Sequence, residues 1–367
     1  MSRWAWAEVS AAAIEHNVRT LAAFVAPTQL WVAVKADGYG HGALLVARAA
    51  QAAGAQGLCV ALVQEGVALR RAGIAGPILV LSEQPPDELR AAVEHRLSIT
   101  VYSAEQIAQL AACGASEHPV HLKIDTGMRR VGVAEADAVA LADMIAASPA
   151  VSLAGVFTHL AVADEPDKPF TAQQLDRFDA AVAALAAAGH HPPLVHAANS
   201  AGALAHPRAR YDMVRLGIGV YGIASSPAVD DLFSALRPAL SLHGRVSYVK
   251  RVAAGERISY GLRHIFERDA TVATVPIGYA DGVPRRLYQV GGSVLIGGRR
   301  RPIVGVVTMD QLMVDCGDDP VQRGDDVVLI GTQGAHTITA ADWATALETI
   351  AYEIVCGISS RIERRAI

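Results

Sequence analysis

Lys35 follows the apolar run LWVAV (30–34), and the chain then turns through Gly38, Gly40 and Gly42 in AVKADGYGHG. A primary amine at the end of a buried strand, with bulky side chains cleared from around it, is placed as a nucleophile toward a carbonyl. Alone, such a lysine reads first as a side chain snorkelling out of a strand end. Its companions decide between the two. Lys123, Asp125, Arg129 and Arg130 lie in KIDTGMRRVGV, His159 ends another apolar run, Asn199 and Ser200 end HAANS, and Arg215 precedes LGIG. Cations, an imidazole and a seryl hydroxyl gathered around an amine would bind an anionic ligand and react with it.

Eight short apolar runs must position these groups. They are LWVAV, LCVAL (58–62), ILVLS (78–82), SITVY (98–102), VHLKI (120–124), LAGVFTH (153–159), LVHAA (194–198) and YDMVRL (211–216). Alanine-rich amphipathic stretches separate most of them. In the stretch that opens the series, Ile14, Val18, Leu21 and Val25 share one helical face. Continuous apolar runs alternating with helices describe parallel strands covered on both faces. Eight such units over residues 11–230 predict an α/β fold, a (β/α)8 TIM-type barrel. Beyond a linker near 225–236, short β-branched runs broken by glycine turns and by one helical stretch, TAADWATALETI, predict a separate β-rich C-terminal domain. It spans 231–367 and takes in residues 1–10, where RWAWAEV alternates like an edge strand.

Composition excludes several classes. The chain has 367 residues, 52% of them hydrophobic, and a formal net charge of −4, so it folds and offers no basic surface for nucleic acid. The triplet Arg299–Arg301 reads as a solvated hairpin turn. No signal peptide or membrane-length apolar run is present, and four widely spaced cysteines fit reduced thiols in the cytoplasm. His190 and His191 lack a spaced third ligand and read as loop residues, so no metal site is expected.

In a barrel, reactive groups gather at the C-terminal ends of the strands, and phosphate sites lie in the loops after strands seven and eight. Ser200 and the backbone of LGIG suit such a site. The string GIGVYG (217–222) spells the dinucleotide fingerprint but follows the last strand and opens no helix, so only close backbone approach to a phosphate survives. A phosphate cradle and a lysine at one mouth point to pyridoxal 5'-phosphate held as a Schiff base. Arg215 opposite the pyridine nitrogen could only donate a hydrogen bond, because guanidinium keeps its proton. Such a ring suits quick proton removal and return.

Together AVKADGYGHG, KIDTGMRRVGV, HAANS, RLGIGVYG, SYG, IGYADG, TMDQLMVD and AYEIVCGISSR resemble the alanine racemase family, in family order across nearly the whole chain. Leu216 stands where many members carry proline, and KADGYG replaces the commoner KANAYG. The resemblance implies that Lys35 holds the cofactor and is one catalytic base, with Tyr260 the other. Tyr39, Ser200, Tyr352, Gly217 and Ile218 would hold the phosphate, with Asn199 beside it and Leu81 also in the cofactor site. Arg215 would face the ring nitrogen, supported by His159. Arg130, Met309 and Asp310 would face the substrate, and Lys123 matches a position carbamylated in some members.

The two enantiomers of alanine present their α-hydrogens on opposite faces, so a racemase needs a proton carrier on each. By resemblance Lys35 serves the D side and Tyr260 the L side, meeting across a head-to-tail homodimer and supplying D-alanine for peptidoglycan. Alternatives are a racemase of broader amino-acid specificity, for serine or basic amino acids, and a non-catalytic pyridoxal-phosphate carrier.

Overall fold

Alternating apolar strands and alanine-rich helices resolve, in a computed structural model that describes residues 3–367, into eight parallel strands. Met1 and Ser2, part of the expected 1–10 segment, lie outside the described residues. The strands are Gln29–Ala33, Gly57–Val60, Ile78–Val80, Ser98–Val101, His118–Lys123, Val151–Phe157, Val195–His196 and Met213–Leu216. Each pairs with the next in chain order as far as Val195–His196, and Gln29–Ala33 also pairs with Met213–Leu216. Two backbone bonds carry the remaining seam: Asp212 N–H to Val195 O and Arg215 N–H to Ala198 O, both 3.0 Å. The expected barrel is therefore present, with most strand residues buried as a sheet covered on both faces requires.

A helix, Ala11–Val25, precedes the first strand, and its apolar face of Ile14, Val18, Leu21 and Val25 is buried. Further helices, among them Ala43–Ala52, Val63–Arg71, Ala104–Ala112 and Phe170–Ala187, connect the strands. LVHAA supplies only Val195–His196 to the ladder. The chain leaves the sheet early because Asn199 caps the short helix Ser200–Ala205, its Oδ1 accepting from Gly202 N–H at 2.8 Å. This compact unit runs from Ala12 to Arg237, and Val229 and Phe233 in its last turns are buried.

The described residues up to Ala11, together with Pro238–Ile367, form a second, mostly β unit. Its largest sheet runs, in spatial order, Arg299–Pro302, Ser293–Ile296, Asp326–Gln333, Leu240–Arg245, Ala5–Val9 and Glu363–Ala366. A three-stranded sheet, Tyr248–Val252, Ala270–Val275 and Leu312–Asp315, packs Val252, Ala270 and Val272 into a small core with Ile258, Phe266 and Val304. Two expectations are corrected here. Ala5–Val9 is no edge strand, since it is antiparallel to Leu240–Arg245 on one side and parallel to Glu363–Ala366 on the other. The Arg299–Arg301 triplet is a strand following the Gly297–Gly298 turn. Arg301 is buried there, donating to Cys316 O at 2.9 Å and paired with Asp319 at 2.8 Å.

Inside the barrel, Gly57 lies opposite Trp31 in register, and a methyl group on Gly57 would overlap the indole. Overpacking of this kind costs about 1–3 kcal/mol. Gly57→Ala is therefore expected to lower the unfolding free energy by that amount, read as a lower urea midpoint with an unchanged m-value; an unshifted midpoint would show that the ring yields freely.

Candidate active site

The first barrel strand ends at Ala33, and Lys35 begins an unusual turn. Five consecutive residues, Ala36, Asp37, Gly38, Tyr39 and Gly40, have positive φ, between 51° and 78°. A left-handed turn costs about 1–2 kcal/mol for each of its three non-glycine residues. Backbone bonds from Gly38 N–H to Val34 O (2.8 Å) and Gly40 N–H to Ala36 O (3.0 Å) hold it from within. Glu65 Oε1 accepts from Ala36 N–H at 2.6 Å, and Asp37 Oδ1 from Ala43 N–H at 2.8 Å. The turn leaves Lys35 half-buried and folds Tyr39 inward against the Tyr221 ring, 4.9 Å between centroids. Tyr221 in turn donates to Ala33 O at 2.8 Å.

Arg215 is buried at the end of the eighth strand. Its guanidinium donates to Thr158 O (2.9 Å), Ala197 O (3.0 Å) and His196 Nδ1 (2.7 Å), and lies 3.4 Å from His159 Nδ1. His196 is thus the closer imidazole partner, and His159 a distant one. Burial lowers the Arg215 pKa to about 10, which still leaves it charged near neutrality. Since that donor keeps its proton, His196 Nδ1 must accept, which puts the His196 proton on Nε2. His196 Nε2 then donates to His121 Nδ1 at 2.9 Å. Both imidazoles are neutral: burial and the nearby Arg215 hold His196 far below its usual range and His121 at about 3.

Phe157 lies beneath two cations. Arg215 Cζ is 5.0 Å and Lys123 Nζ 5.3 Å from its ring centroid, and His196 stacks on the same ring at 4.7 Å. Burial, reinforced by Arg215, Arg130 and Lys35 and opposed by Asp125, lowers the Lys123 pKa from 10.5 to about 8. Burial and the same group of cations hold His159 well below its usual range. Cys59 feels Arg215 and Lys35 as well, yet burial outweighs them and pushes its thiol up to about 12, so it is a neutral thiol. The mouth is a concentration of positive charge that an anion would relieve.

Across the mouth, Ser200 Oγ accepts from Gly217 N–H (3.0 Å) and Gly219 N–H (3.2 Å), which leaves its own proton to donate. A side chain on Gly217 would collide with the Tyr39 hydroxyl. Ile218 is buried in the same turn, and Asn199 is fixed by its cap. The chain here brings a phenol, a seryl hydroxyl and bare backbone into one small space, which fits the phosphate group inferred from sequence. Arg130 is exposed on the loop after Lys123, whose turn Asp125 organises by accepting from Gly127 N–H and Arg129 N–H. Leu81 is half-buried just past the third strand, its N–H on Val60 O at 2.9 Å.

Tyr260, Met309, Asp310 and Tyr352 belong to the second unit. Tyr260 follows Ser259, whose hydroxyl is tied to Val306 O at 2.8 Å, and its ring is 71% exposed. Met309 is also exposed, and Tyr352 is half-buried in the helix Ala351–Cys356. Asp310 is held by Arg361 at 2.6 Å. Arg361 Nε also lies 3.3 Å from Asp281, a fully buried carboxylate gripped by Arg3 at 2.5 and 2.7 Å. Tyr279 N–H and Ala280 N–H donate to Thr308 O and Met309 O, so this ion network pins the strip that carries Met309 and Asp310.

His121, His196, Glu65, Asp281 and Arg361 were not singled out by sequence. The two histidines had a usable signal: His121 lies two residues before Lys123 on the same strand, so both point to one face. Asp281 and Arg361 sit inside the quoted strings IGYADG and AYEIVCGISSR. Glu65 has no local signal, because its role is to accept bonds from a turn 29 residues earlier.

Residues 9–225 match the family described as alanine racemase, N-terminal domain, and residues 239–366 match alanine racemase, C-terminal domain. An alanine racemase of Symbiobacterium thermophilum is 50% identical over 363 residues, covering 98% of this chain and 96% of the relative. One from a Nostoc species is 43% identical, covering 99% and 96%. The crystal structure of the Bacillus anthracis alanine racemase with bound L-Ala-P superposes with a TM-score of 0.95 at 38% identity, covering 100% of this chain and 96% of that one.

The charge cluster makes a measurable statement about Lys123. In bicarbonate-free protein labelled with 13C-lysine, where four lysines give a simple spectrum, the signal lost in Lys123→Met is expected to titrate with a midpoint near pH 8. A midpoint above 10 would contradict the crowding of cations around it.

Proposed function

The chain belongs to the alanine racemase family and is an isomerase that interconverts L- and D-alanine; we propose that it does so with pyridoxal 5'-phosphate at the barrel mouth. The observation that carries the cofactor reading is the cationic mouth of Lys35, Lys123, Arg130 and Arg215 beside the bare backbone at Gly217. Lys35 would hold the cofactor. Ser200, Tyr39, Tyr352 and the backbone of Gly217 and Ile218 would bind its phosphate, with Asn199 and Leu81 alongside. When bound, the cofactor supplies an electron sink that acidifies the α-hydrogen of an attached amino acid. Arg215 keeps its proton and so offers the ring nitrogen a hydrogen bond and no proton, which limits the depth of that sink and favours prompt reprotonation.

The chain's own groups then move one proton. Lys35 Nζ takes or returns it on the D side and Tyr260 Oη on the L side, while Arg130, Met309 and Asp310 hold the substrate. Lys123, substantially neutral near pH 8, is in the form that adds carbon dioxide, which supports the carbamylation reading. Exposed Tyr260, Leu262, Ile265, Met309 and Ile350 are apolar surface that a second subunit would cover, which supports a homodimer whose sites join Lys35 of one chain to Tyr260 of the other. A cytoplasmic role supplying D-alanine to peptidoglycan accords with buried thiols at Cys59 and Cys316. No helix among the described residues is long and apolar enough to cross a membrane. The family match favours alanine racemisation over the carrier reading.

Incubating the purified, cofactor-loaded protein with L-alanine is expected to give racemic alanine by chiral chromatography. Unchanged L-alanine would return the carrier reading. For the shared site, Lys35→Ala and Tyr260→Phe should each lose about 10²–10⁴-fold in activity. Mixed in equal amounts and allowed to exchange subunits, the two should recover about a quarter of wild-type activity, from one intact site per heterodimer. No recovery after verified exchange would place both residues in one chain's site.

A further inference from the structure

At the opposite end of the barrel, the N-terminal ends of the strands line an open depression of about 910 Å³. Trp31 and His121 line it and are 3% and 1% exposed, whereas Arg96 and Glu94 are exposed, so the first pair forms its base and the second its rim. The base is built to hold flat rings. Trp31 and His121 lie 6.2 Å apart, and only glycine at 57 and 155 leaves room for them, since a methyl group at either position would overlap the indole or the imidazole. Pro77, Pro119 and Leu194 supply apolar walls.

The chemistry of the base follows from Arg215. That arginine fixes the His196 proton on Nε2, His196 donates to His121 Nδ1, and the neutral His121 therefore carries its proton on Nε2. A hydrogen-bond donor of settled tautomer thus sits on a ring that lines the depression. At the rim the balance is cationic: Arg70 and Arg96 stand against one carboxylate, Glu94. Arg70 spends its N–H groups on His95 O (3.0 Å), Ile74 O (2.9 Å) and Arg96 O (3.2 Å), so it stiffens the rim and adds charge while Arg96 remains at the surface.

The geometry points to a second ligand site at this end of the barrel, for a small aromatic carboxylate: the ring between the apolar walls of Pro77, Pro119 and Leu194, a hydrogen-bond acceptor on it at the base toward His121 Nε2–H, and the carboxylate at Arg96. Concavity, apolar walls and a few convergent polar groups are the features of small-molecule sites. The site shares no residue with the proposed cofactor and substrate contacts, and is joined to the barrel mouth only through the His121–His196–Arg215 hydrogen bonds.

The test is calorimetric titration of the cofactor-loaded enzyme with 4-hydroxybenzoate, in saturating racemic alanine so that the alanine site is filled. Saturable binding with Kd on the order of 1 mM is expected for a ligand of this size. Arg96→Glu, a change of an exposed residue, should weaken it at least tenfold, and so should Ala154→Phe, which places a ring in the depression; both should leave racemase activity intact. Absence of saturable binding, binding that vanishes once alanine is present, or binding indifferent to both substitutions would overturn the site.

Discussion

An arginine buried without a carboxylate governs the chemistry of the barrel. Removing a cation from water costs several kcal/mol even after relaxation, and most buried arginines recover this through an acid. Arg215 recovers it through neutral acceptors: two backbone carbonyls and an imidazole nitrogen. This choice propagates. The imidazole must stay neutral to accept, its second nitrogen must donate onward, and the aromatic face of Phe157 is turned to the charge. An acid in place of His196 would have cancelled the positive potential at the mouth. With a neutral partner, Arg215 is stabilised and its charge stays available.

The same potential explains why the mouth's other titratable groups lie where they do. Lys123 is near its point of neutrality, while His159 and Cys59 are uncharged. A site that suppresses competing protonation leaves few groups to exchange protons with a bound substrate, and that selectivity suits a reaction consisting of a single proton's removal and return. The crowding of like charge is a cost to the fold, carried by a barrel whose strands are mostly buried apolar residues.

Much of this was legible in the sequence because it follows from strand ends. Apolar runs at regular intervals located the eight strands, and the polar residues closing five of them located the mouth. What stayed hidden has physical causes. Ala5–Val9 alternates, which reads as one exposed edge, but partners from residues 240–245 and 363–366 flank it on both sides, and nothing local encodes that. Arg301 carries a charge, which reads as solvent, yet Asp319 and a carbonyl receive it inside the domain. His196 and His121 were overshadowed by the lysine and asparagine beside them. The general pattern is that side chains reaching solvent or ligand announce themselves by type, whereas those that serve another side chain do so only through long-range pairing.

The left-handed turn after Lys35 bears on how the chain folds. Its local sequence does not favour it, since three of its five residues have a β-carbon that opposes the conformation. Further support arrives later in the chain, from Glu65 on the helix after the second strand and, through the Tyr39 ring, from Tyr221 beyond the last strand. The turn therefore reaches its full stability only once the first and eighth strands are side by side. Lys35 thus owes its setting to contacts that only the assembled barrel supplies, and a partly unfolded barrel would carry it as an ordinary surface amine.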